Sequence, residues 1–97
     1  MVYDIETIRE KTVPIAEKYG VKRMSLFGSY ARGEADDKSD VDILIDRGKI
    51  EGLLQYFGFV HELQRALRCH VDVVTEGIRD EKFLNAIKQD EVFLYAE

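Results

Sequence analysis

The alternation of apolar and polar residues along the chain predicts a small fold in which helices and strands follow one another. Apolar positions recur at helical spacing in three segments, and the shorter alternating runs between them are typical of strands. Gly20, Gly28 and Gly48 interrupt these patterns, so each is expected to end an element. The predicted helices are Ile5–Tyr19, Leu53–Cys69 and Asp80–Lys88, and the predicted strands are Val21–Phe27, Val41–Asp46, His70–Thr75 and, as a strand or a docking tail, Val92–Tyr95.

The first predicted helix contains a proline. Pro14 lacks an N–H group and crowds the preceding turn, so the helix is expected to kink there or to consist of two pieces. Thr7 and Glu10 have the spacing of a capping box. Gly20 is a suitable residue to end the helix in a left-handed conformation.

Together these elements predict one domain over residues 1–97, of the α/β (α+β) class. A small mixed sheet with helices mainly on one face is the simplest arrangement of this order of elements. The length of 97 residues suits a single domain, and the apolar fraction of 45% supports a modest core. The pattern alone leaves open which strands are parallel.

The charge balance narrows the classes of partner. The chain has 14 basic and 19 acidic side chains, a net charge of −5, so direct binding to nucleic acid is not expected. The single cysteine, Cys69, cannot form an internal disulfide and fits a reducing compartment. The sequence contains no long apolar run and no leader-like segment. We therefore expect a cytoplasmic protein without membrane association.

Two aspartates at the start of the second strand carry the most chemical information. Side chains alternate along a strand, so Asp40 and Asp42 share one face, about 6–7 Å apart along the strand. The intervening apolar residues would point into the core. Carboxylate oxygens at this spacing can hold one hard cation or two adjacent ones. A solvated loop end is the alternative interpretation.

A glycine–serine pair and a third aspartate complete the pattern. Gly28 and Ser29 end the first strand and open a short helical turn, where free N–H groups suit a phosphate. Glycine allows the backbone to approach a ligand closely, and Ser29 has the alternative role of capping the turn. Asp72 would complete a carboxylate triad if the third strand lies beside the second. Otherwise it is an edge-strand aspartate facing solvent.

These residues resemble the signature of the nucleotidyltransferase superfamily that includes DNA polymerase beta. The pattern is Gly28-Ser29, a short spacer, then Asp40-Val41-Asp42. The whole chain, including the run Ala31-Arg32-Gly33-Glu34 and the later strand around Asp72, is similar to the minimal nucleotidyltransferase (MNT) domains of prokaryotes. The resemblance implies the polymerase beta-like nucleotidyltransferase fold.

The resemblance also implies roles and partners. Gly28 and Ser29 would contact the triphosphate of ATP, and Asp40, Asp42 and Asp72 would bind Mg²⁺ as a pair of ions and carry catalysis. Family members of this size act as antitoxins that pair with a HEPN-domain toxin, and some transfer AMP from ATP to a toxin tyrosine. A hetero-oligomer with such a toxin is therefore expected. Two alternatives stay open, namely a binding module that neutralises the partner by occlusion and nucleotidyl transfer to a small molecule.

The remaining polar and aromatic residues have less specific interpretations. Arg32 and Glu34 are expected to form an ion pair that shapes the loop, in preference to a contact between Arg32 and phosphate. His70 is interpreted as the residue that ends its strand, and Cys69 as a small core residue. The aromatic residues predicted to lie in the core or at a partner interface are Phe57, Phe59, Phe83, Phe93 and Tyr95.

Overall fold

A computed structural model describes residues 2–77 and 80–97, and within this part of the chain it contains four helices and four strands. The helices are α1 (Ile5–Tyr19), α2 (Gly28–Arg32), α3 (Gly52–Leu67) and α4 (Glu81–Lys88). The strands are β1 (Arg23–Phe27), β2 (Val41–Asp46), β3 (Val71–Thr75) and β4 (Val92–Ala96). The predicted mixed α/β class is confirmed, and the last segment is a strand.

The four strands form one mixed sheet in the order β3-β2-β1-β4. Strand β1 is antiparallel to both β2 and β4, whereas β2 and β3 are parallel. The register pairs Phe27 with Asp42 and Asp42 with Asp72. The end of β1 and the beginnings of β2 and β3 therefore lie side by side.

One face of the sheet carries the core. Val41, Ile43 and Ile45 of β2 are completely buried, as the alternation along the strand predicted. Helices α1 and α3 pack on this face, and the ring of Tyr19 meets Phe59 edge to face with centroids 5.6 Å apart. The two helices contribute these buried residues: Ile8, Ala16, Phe59, Leu63 and Leu67. Because this face is covered, the side chains of alternate β2 residues such as Asp42 point to the other one.

Helix α1 differs from its prediction at the N-terminus. The N-cap is Asp4, whose Oδ1 accepts a hydrogen bond from the Thr7 N–H at 2.7 Å. The capping box of Thr7 and Glu10 was wrong because the helix begins at Ile5, before that motif. Pro14 lies inside one continuous helix, so the expectation of two pieces was also wrong. Pro14 is exposed, and water can therefore satisfy the carbonyl that its missing N–H leaves free.

The boundary between α1 and β1 is shifted by the end of the helix. Gly20 adopts φ 72°, as predicted for a helix-ending glycine. The Val21 N–H donates to the Ala16 carbonyl at 3.0 Å, which closes the helix. Val21 is thus engaged by α1, and β1 begins at Arg23 instead of at Val21.

Strand β3 is an edge strand whose outer side is partly covered by α3. The Val71 N–H donates to Gln64 Oε1 at 3.2 Å, and the Tyr56 hydroxyl donates to the Val73 carbonyl at 3.0 Å. Such pairing satisfies backbone groups that a bare edge would leave open. It also fixes the strand that carries Asp72.

The aromatic residues that were predicted to lie in the core or at an interface include both buried and exposed side chains. Phe59 is fully buried, whereas Phe57, Phe83 and Phe93 are exposed. Cys69 packs against the core in a partly buried position, close to its prediction. None of the helices within residues 2–77 and 80–97 combines the length and apolar character needed to cross a membrane.

Candidate active site

The structure brings the three predicted aspartates together on the open face of the sheet. Asp42 lies on β2 directly beside Asp72 on β3, and Asp40 comes immediately before β2. The parallel pairing that sequence pattern left undecided is what places Asp72 there. Asp72 is also an exposed edge-strand residue, with 53% of its side chain accessible. The two interpretations given for it from sequence therefore describe the same position.

Gly28 is fitted to its place beside Asp42. It opens α2 with φ 72°, a conformation that side-chain-bearing residues rarely adopt. A Cβ atom there would collide with the Asp42 carboxylate, since it would lie 3.0 Å from the Asp42 Cγ and closer still to Oδ2. The pairing of Phe27 with Asp42 in the sheet causes this proximity. Glycine is thus required both by the backbone and by the neighbouring carboxylate.

Ser29 follows inside the same short helix. The N-cap of α2 is Phe27, which gives no side-chain hydrogen bond. Ser29 is therefore not the capping residue, and this alternative for it was wrong. Ser29 is partly buried and lies next to Gly28. The contact with a triphosphate that the family resemblance implies for Ser29 stays a prediction.

The pKa of Asp42 reflects the burial of its carboxyl group and the negative charges around it. Burial, together with the negative charges of Asp72 and Asp40 and a hydrogen bond with Asp72, raises the pKa of the Asp42 carboxyl to about 6. The positive charge of Arg32 acts in the opposite direction but does not cancel it. Ionised Asp42 is thus short of positive charge, which a bound cation would supply.

His70 is the residue of this cluster that sequence reasoning missed. Its Nδ1 lies 3.3 Å from Asp40 Oδ2 and 3.6 Å from Asp72 Oδ1. His70 and Asp72 are two residues apart, as are Asp40 and Asp42, so the spacing that identified the aspartates also pointed to the histidine. The interpretation of His70 as a strand end passed over this signal.

The predicted ion pair beside α2 is present. Arg32 Nε lies 2.7 Å from Glu34 Oε1, and Arg32 Nη1 lies 3.4 Å from Asp90 Oδ2. The second contact joins α2 to the turn between α4 and β4, which sequence spacing could not show. Hydrogen bonds to both carboxylates raise the pKa of the Arg32 guanidinium, and the bond to Glu34 has the larger effect.

The donor atoms of the cluster fit a hard divalent cation. Carboxylate oxygens are the ligands that Mg²⁺ prefers, and Asp42 and Asp72 present theirs to each other across adjacent strands. One oxygen each of Asp40 and Asp72 and a ring nitrogen of His70 also lie within 4.8 Å of one another. The cluster therefore offers more than one position at which a cation can neutralise carboxylates.

Carboxylates clustered in this way can hold the pair of divalent cations with which phosphoryl-transfer enzymes such as polymerases clamp an in-line displacement. Residues 8–94 match the family model described as the nucleotidyltransferase domain. The chain belongs to this family and is a nucleotidyltransferase, as the resemblance in the sequence implied.

Relatives from two organisms support the family assignment. The chain is 46% identical over 72 residues, 74% of its length and 77% of the relative's, to the Methanocaldococcus jannaschii protein MJ0435, which is provisionally named a protein adenylyltransferase. It is 41% identical over 63 residues, 65% of its length and 64% of the relative's, to the protein adenylyltransferase MntA of Thermococcus cleftensis.

Solved structures share the fold. A structure provisionally described as a minimal nucleotidyltransferase is 29% identical with a TM-score of 0.79, and 93% of this chain and 95% of that one are covered. A toxin–antitoxin structure with AMP-PNP is 20% identical with a TM-score of 0.79 over 92% of this chain and 73% of that one. A Shewanella oneidensis complex of a tri-AMPylated HEPN toxin with an MNT antitoxin is 17% identical with a TM-score of 0.73 over 95% and 72%. The last two likenesses show the fold alone.

Proposed function

We propose that this chain is a Mg²⁺-dependent protein adenylyltransferase that moves AMP from ATP to a tyrosine hydroxyl of a partner HEPN toxin and so acts as its antitoxin. The observation that carries the proposal is the position of Asp42, between Gly28 on one side and Asp72 on the other. This arrangement sets a phosphate-binding turn against a pair of carboxylates.

Each residue has a defined part in the proposed reaction. Gly28 and Ser29 hold the triphosphate, and Asp40, Asp42 and Asp72 are the ligands of the metal. Two Mg²⁺ ions bound there would neutralise the phosphates and the developing negative charge. Asp72 accepts the proton of the attacking hydroxyl. The tyrosine oxygen forms a bond to the α-phosphorus of ATP, the bond between the α-phosphorus and the bridging oxygen breaks, and pyrophosphate leaves.

The exposure of the cluster favours a macromolecular acceptor. The side chains of Asp40 and Asp72 are 49% and 53% accessible, so the site is open at the protein surface. An acceptor residue on another protein can reach such a site without first entering a closed cavity. The partner then supplies the walls that exclude water and position its own hydroxyl.

The related proteins support the choice of acceptor and nucleotide. The Thermococcus cleftensis relative is named a protein adenylyltransferase, and the Methanocaldococcus jannaschii relative has the same name provisionally. Among structures with the same fold, one toxin–antitoxin complex contains AMP-PNP, an ATP analogue, and another contains an AMPylated HEPN toxin beside an MNT antitoxin. A HEPN toxin as partner and AMP as the transferred group are consistent with these neighbours.

The test combines the purified chain, Mg²⁺, ATP labelled at the α-phosphate and the protein product of the adjacent gene as the candidate partner. We expect label on the partner, release of pyrophosphate, and a labelled tyrosine in the peptide map. Asp42→Asn should abolish labelling. Asp46→Asn is the matched control, because Asp46 lies on the same strand and face, four residues beyond Asp42.

Each contrary outcome identifies a different error. Labelling that survives Asp42→Asn would mean that the carboxylates are not the metal ligands. A stable complex without label would replace transfer with inhibition by occlusion. Label on a residue other than tyrosine would leave the transferase in place and correct only the acceptor.

A further inference from the structure

The Asp40, His70 and Asp72 side chains are arranged around a common point. The two separations from His70 Nδ1, 3.3 Å and 3.6 Å, exceed the usual N–H···O distance of about 2.7–3.2 Å. Neighbouring ligands on a six-coordinate ion are about 3 Å apart, since bonds of about 2.1 Å meet at right angles. The three atoms lie within 4.8 Å of one another, so a rearrangement of these exposed side chains would bring the nitrogen and the two oxygens onto a single ion.

The sheet register fixes this arrangement. Val41 pairs with Val71, and the Val41 N–H donates to the His70 carbonyl at 3.1 Å. Asp40 is therefore held beside His70 in the same way that Asp42 is held beside Asp72. The result is two adjacent rows on one face of the sheet. One row offers only oxygen ligands, and the other offers an oxygen and an imidazole nitrogen.

We propose that Asp40, His70 and Asp72 form a mixed nitrogen–oxygen cation subsite that selects a first-row transition-metal ion such as Mn²⁺ over Mg²⁺. Mg²⁺ takes oxygen ligands in proteins and loses its water reluctantly, whereas the affinity of a nitrogen-containing site for first-row transition ions starts with Mn²⁺ and rises through Fe²⁺, Co²⁺ and Ni²⁺. The row of Asp42 and Asp72 remains an oxygen-only position for Mg²⁺, so the transition-metal ion would replace one of the two Mg²⁺ ions of the proposed site. The inference deepens the proposed function, because it concerns carboxylates of the same site, and it makes His70 the residue that determines cation preference.

The accessibility of His70 makes it suitable for substitution. Its side chain is 60% exposed, so its replacement leaves the core unchanged. In His70→Asn an amide oxygen takes the place of Nδ1, which converts the subsite to oxygen ligands alone, whereas His70→Ala removes the ligand. His61→Asn is the matched control, since His61 is the other histidine of the chain and lies exposed on α3.

The experiment uses the isolated chain with Mn²⁺ as the probe, without ATP or partner. Mn²⁺ affinity is measured by electron paramagnetic resonance, Mg²⁺ affinity by competition, and bound imidazole by its nitrogen hyperfine coupling to Mn²⁺. We expect the coupling in the unchanged chain and in His61→Asn but not in either His70 variant. His70→Asn should also lower the preference for Mn²⁺ over Mg²⁺, because the oxygen ligands that remain suit both ions.

Absence of nitrogen coupling in the unchanged chain, or an unaltered cation preference in His70→Asn, would overturn the inference and leave His70 as a surface histidine near carboxylates. The labelling experiment is independent of this result. Label transfer that depends on Asp42, without nitrogen coupling, would keep the proposed function and reject the subsite. Nitrogen coupling lost in His70→Asn, without label transfer, would keep the subsite and reject the proposed function.

Discussion

Two acidic clusters lie on the same face of the sheet, and they differ in how their negative charge is balanced. Both contain carboxylates from neighbouring elements, so their acidic residues alone do not distinguish them. We call them the aspartate cluster, which comprises Asp40, Asp42 and Asp72, and the paired cluster, which comprises Arg23, Ser25, Glu76, Lys88 and Glu91.

In the paired cluster each carboxylate has a cation beside it. Glu91 Oε2 accepts hydrogen bonds from Arg23 Nη2 at 2.8 Å and from the Ser25 hydroxyl at 2.6 Å. Glu76 Oε1 lies 3.5 Å from Lys88 Nζ and 3.8 Å from Arg23 Nη1. The Glu91 side chain is only 12% exposed, so these contacts compensate its burial. They tie the turn before β4 to β1.

In the aspartate cluster the described part of the chain provides no such lysine or arginine contact, and the His70 imidazole lies beside Asp40 and Asp72. Asp42 is partly buried between like charges, and its pKa rises to about 6. A group whose ionised form is disfavoured in the absence of ligand is typical of a functional site. The comparison indicates that charge balance, more than the number of acidic residues, separates the proposed cation site from a cluster that holds the fold together.

The largest expected effect comes from removing a carboxylate of the aspartate cluster on β3, compared with a carboxylate of the paired cluster just after that strand. Asp72→Asn should lower the rate of AMP transfer by roughly 10²–10⁴-fold, because it removes the proposed proton acceptor. Glu76→Gln, four residues later, should keep most of the rate. Initial rates of label incorporation at equal amounts of folded protein measure the difference. Equal losses in both variants would mean that the two clusters do not differ in function.

The next prediction distinguishes two reasons for a glycine at position 28, namely its strained backbone conformation and the closeness of the Asp42 carboxylate. Gly28 and Gly33 both have φ near 75° (72° and 75°), but a Cβ on Gly33 would meet nothing within 4 Å. Both Gly28→Ala and Gly33→Ala should lose about 1–3 kcal/mol of stability through the strained backbone. Gly28→Ala should in addition displace the Asp42 carboxylate and reduce transfer by roughly 10²-fold.

Thermal unfolding and transfer rates of the two alanine variants test this expectation. Transfer that falls equally in both would assign the loss to the conformation of α2, and the contact between Gly28 and Asp42 would then have no special role. Transfer that is retained in both would remove Gly28 from the site.

In the paired cluster the expected effect is on stability. Glu91→Ala leaves the buried Ser25 hydroxyl and the Arg23 guanidinium without their acceptor, which should cost about 2 kcal/mol. Glu34→Ala is the control, because Glu34 pairs with Arg32 at an exposed position and should cost less than about 1 kcal/mol. Urea denaturation measures both. A Glu91→Ala chain as stable as the Glu34→Ala chain would show that the paired cluster does not hold the fold together.

The parts of the site that sequence could predict are those that local alternation determines. Asp40 and Asp42 share a face because a strand has a period of two, and the apolar residues between them identify which face is buried. Gly28 was identified because its turn follows an apolar run. The position of Asp72 beside them depends on strand pairing, which the local pattern does not determine. The family resemblance was what implied it.

The parts that sequence could not predict depend on contacts between distant segments. Glu91 reaches Ser25 and Arg23 across 66 and 68 residues, and no local spacing connects them. His70 is a different case, because its spacing from Asp72 was visible. It was missed because a strand end was a sufficient explanation for it until the register placed Asp40 alongside.

The smallest expected effect is also the one that most directly sharpens the comparison, because removing a carboxylate from the aspartate cluster should stabilise the metal-free chain. A pKa raised to about 6 in the folded state lies above the ordinary value of about 3.9 in the unfolded chain. The folded state then binds more protons between these values, so Asp42 costs no stability below about pH 4 and an increasing amount up to about pH 6. The stability of Asp42→Asn should therefore match that of the unchanged chain near pH 4 and exceed it at pH 7.5 by about 1 kcal/mol, after allowance for solvent screening.

Mg²⁺ should reduce this difference in stability, since it binds and stabilises the unchanged chain more strongly than the variant. Unfolding curves of both chains across this pH range, with and without Mg²⁺, provide the measurement. A difference between them that does not vary with pH would mean that Asp42 is not under electrostatic stress, and the contrast with the stabilising carboxylate of Glu91 would then disappear.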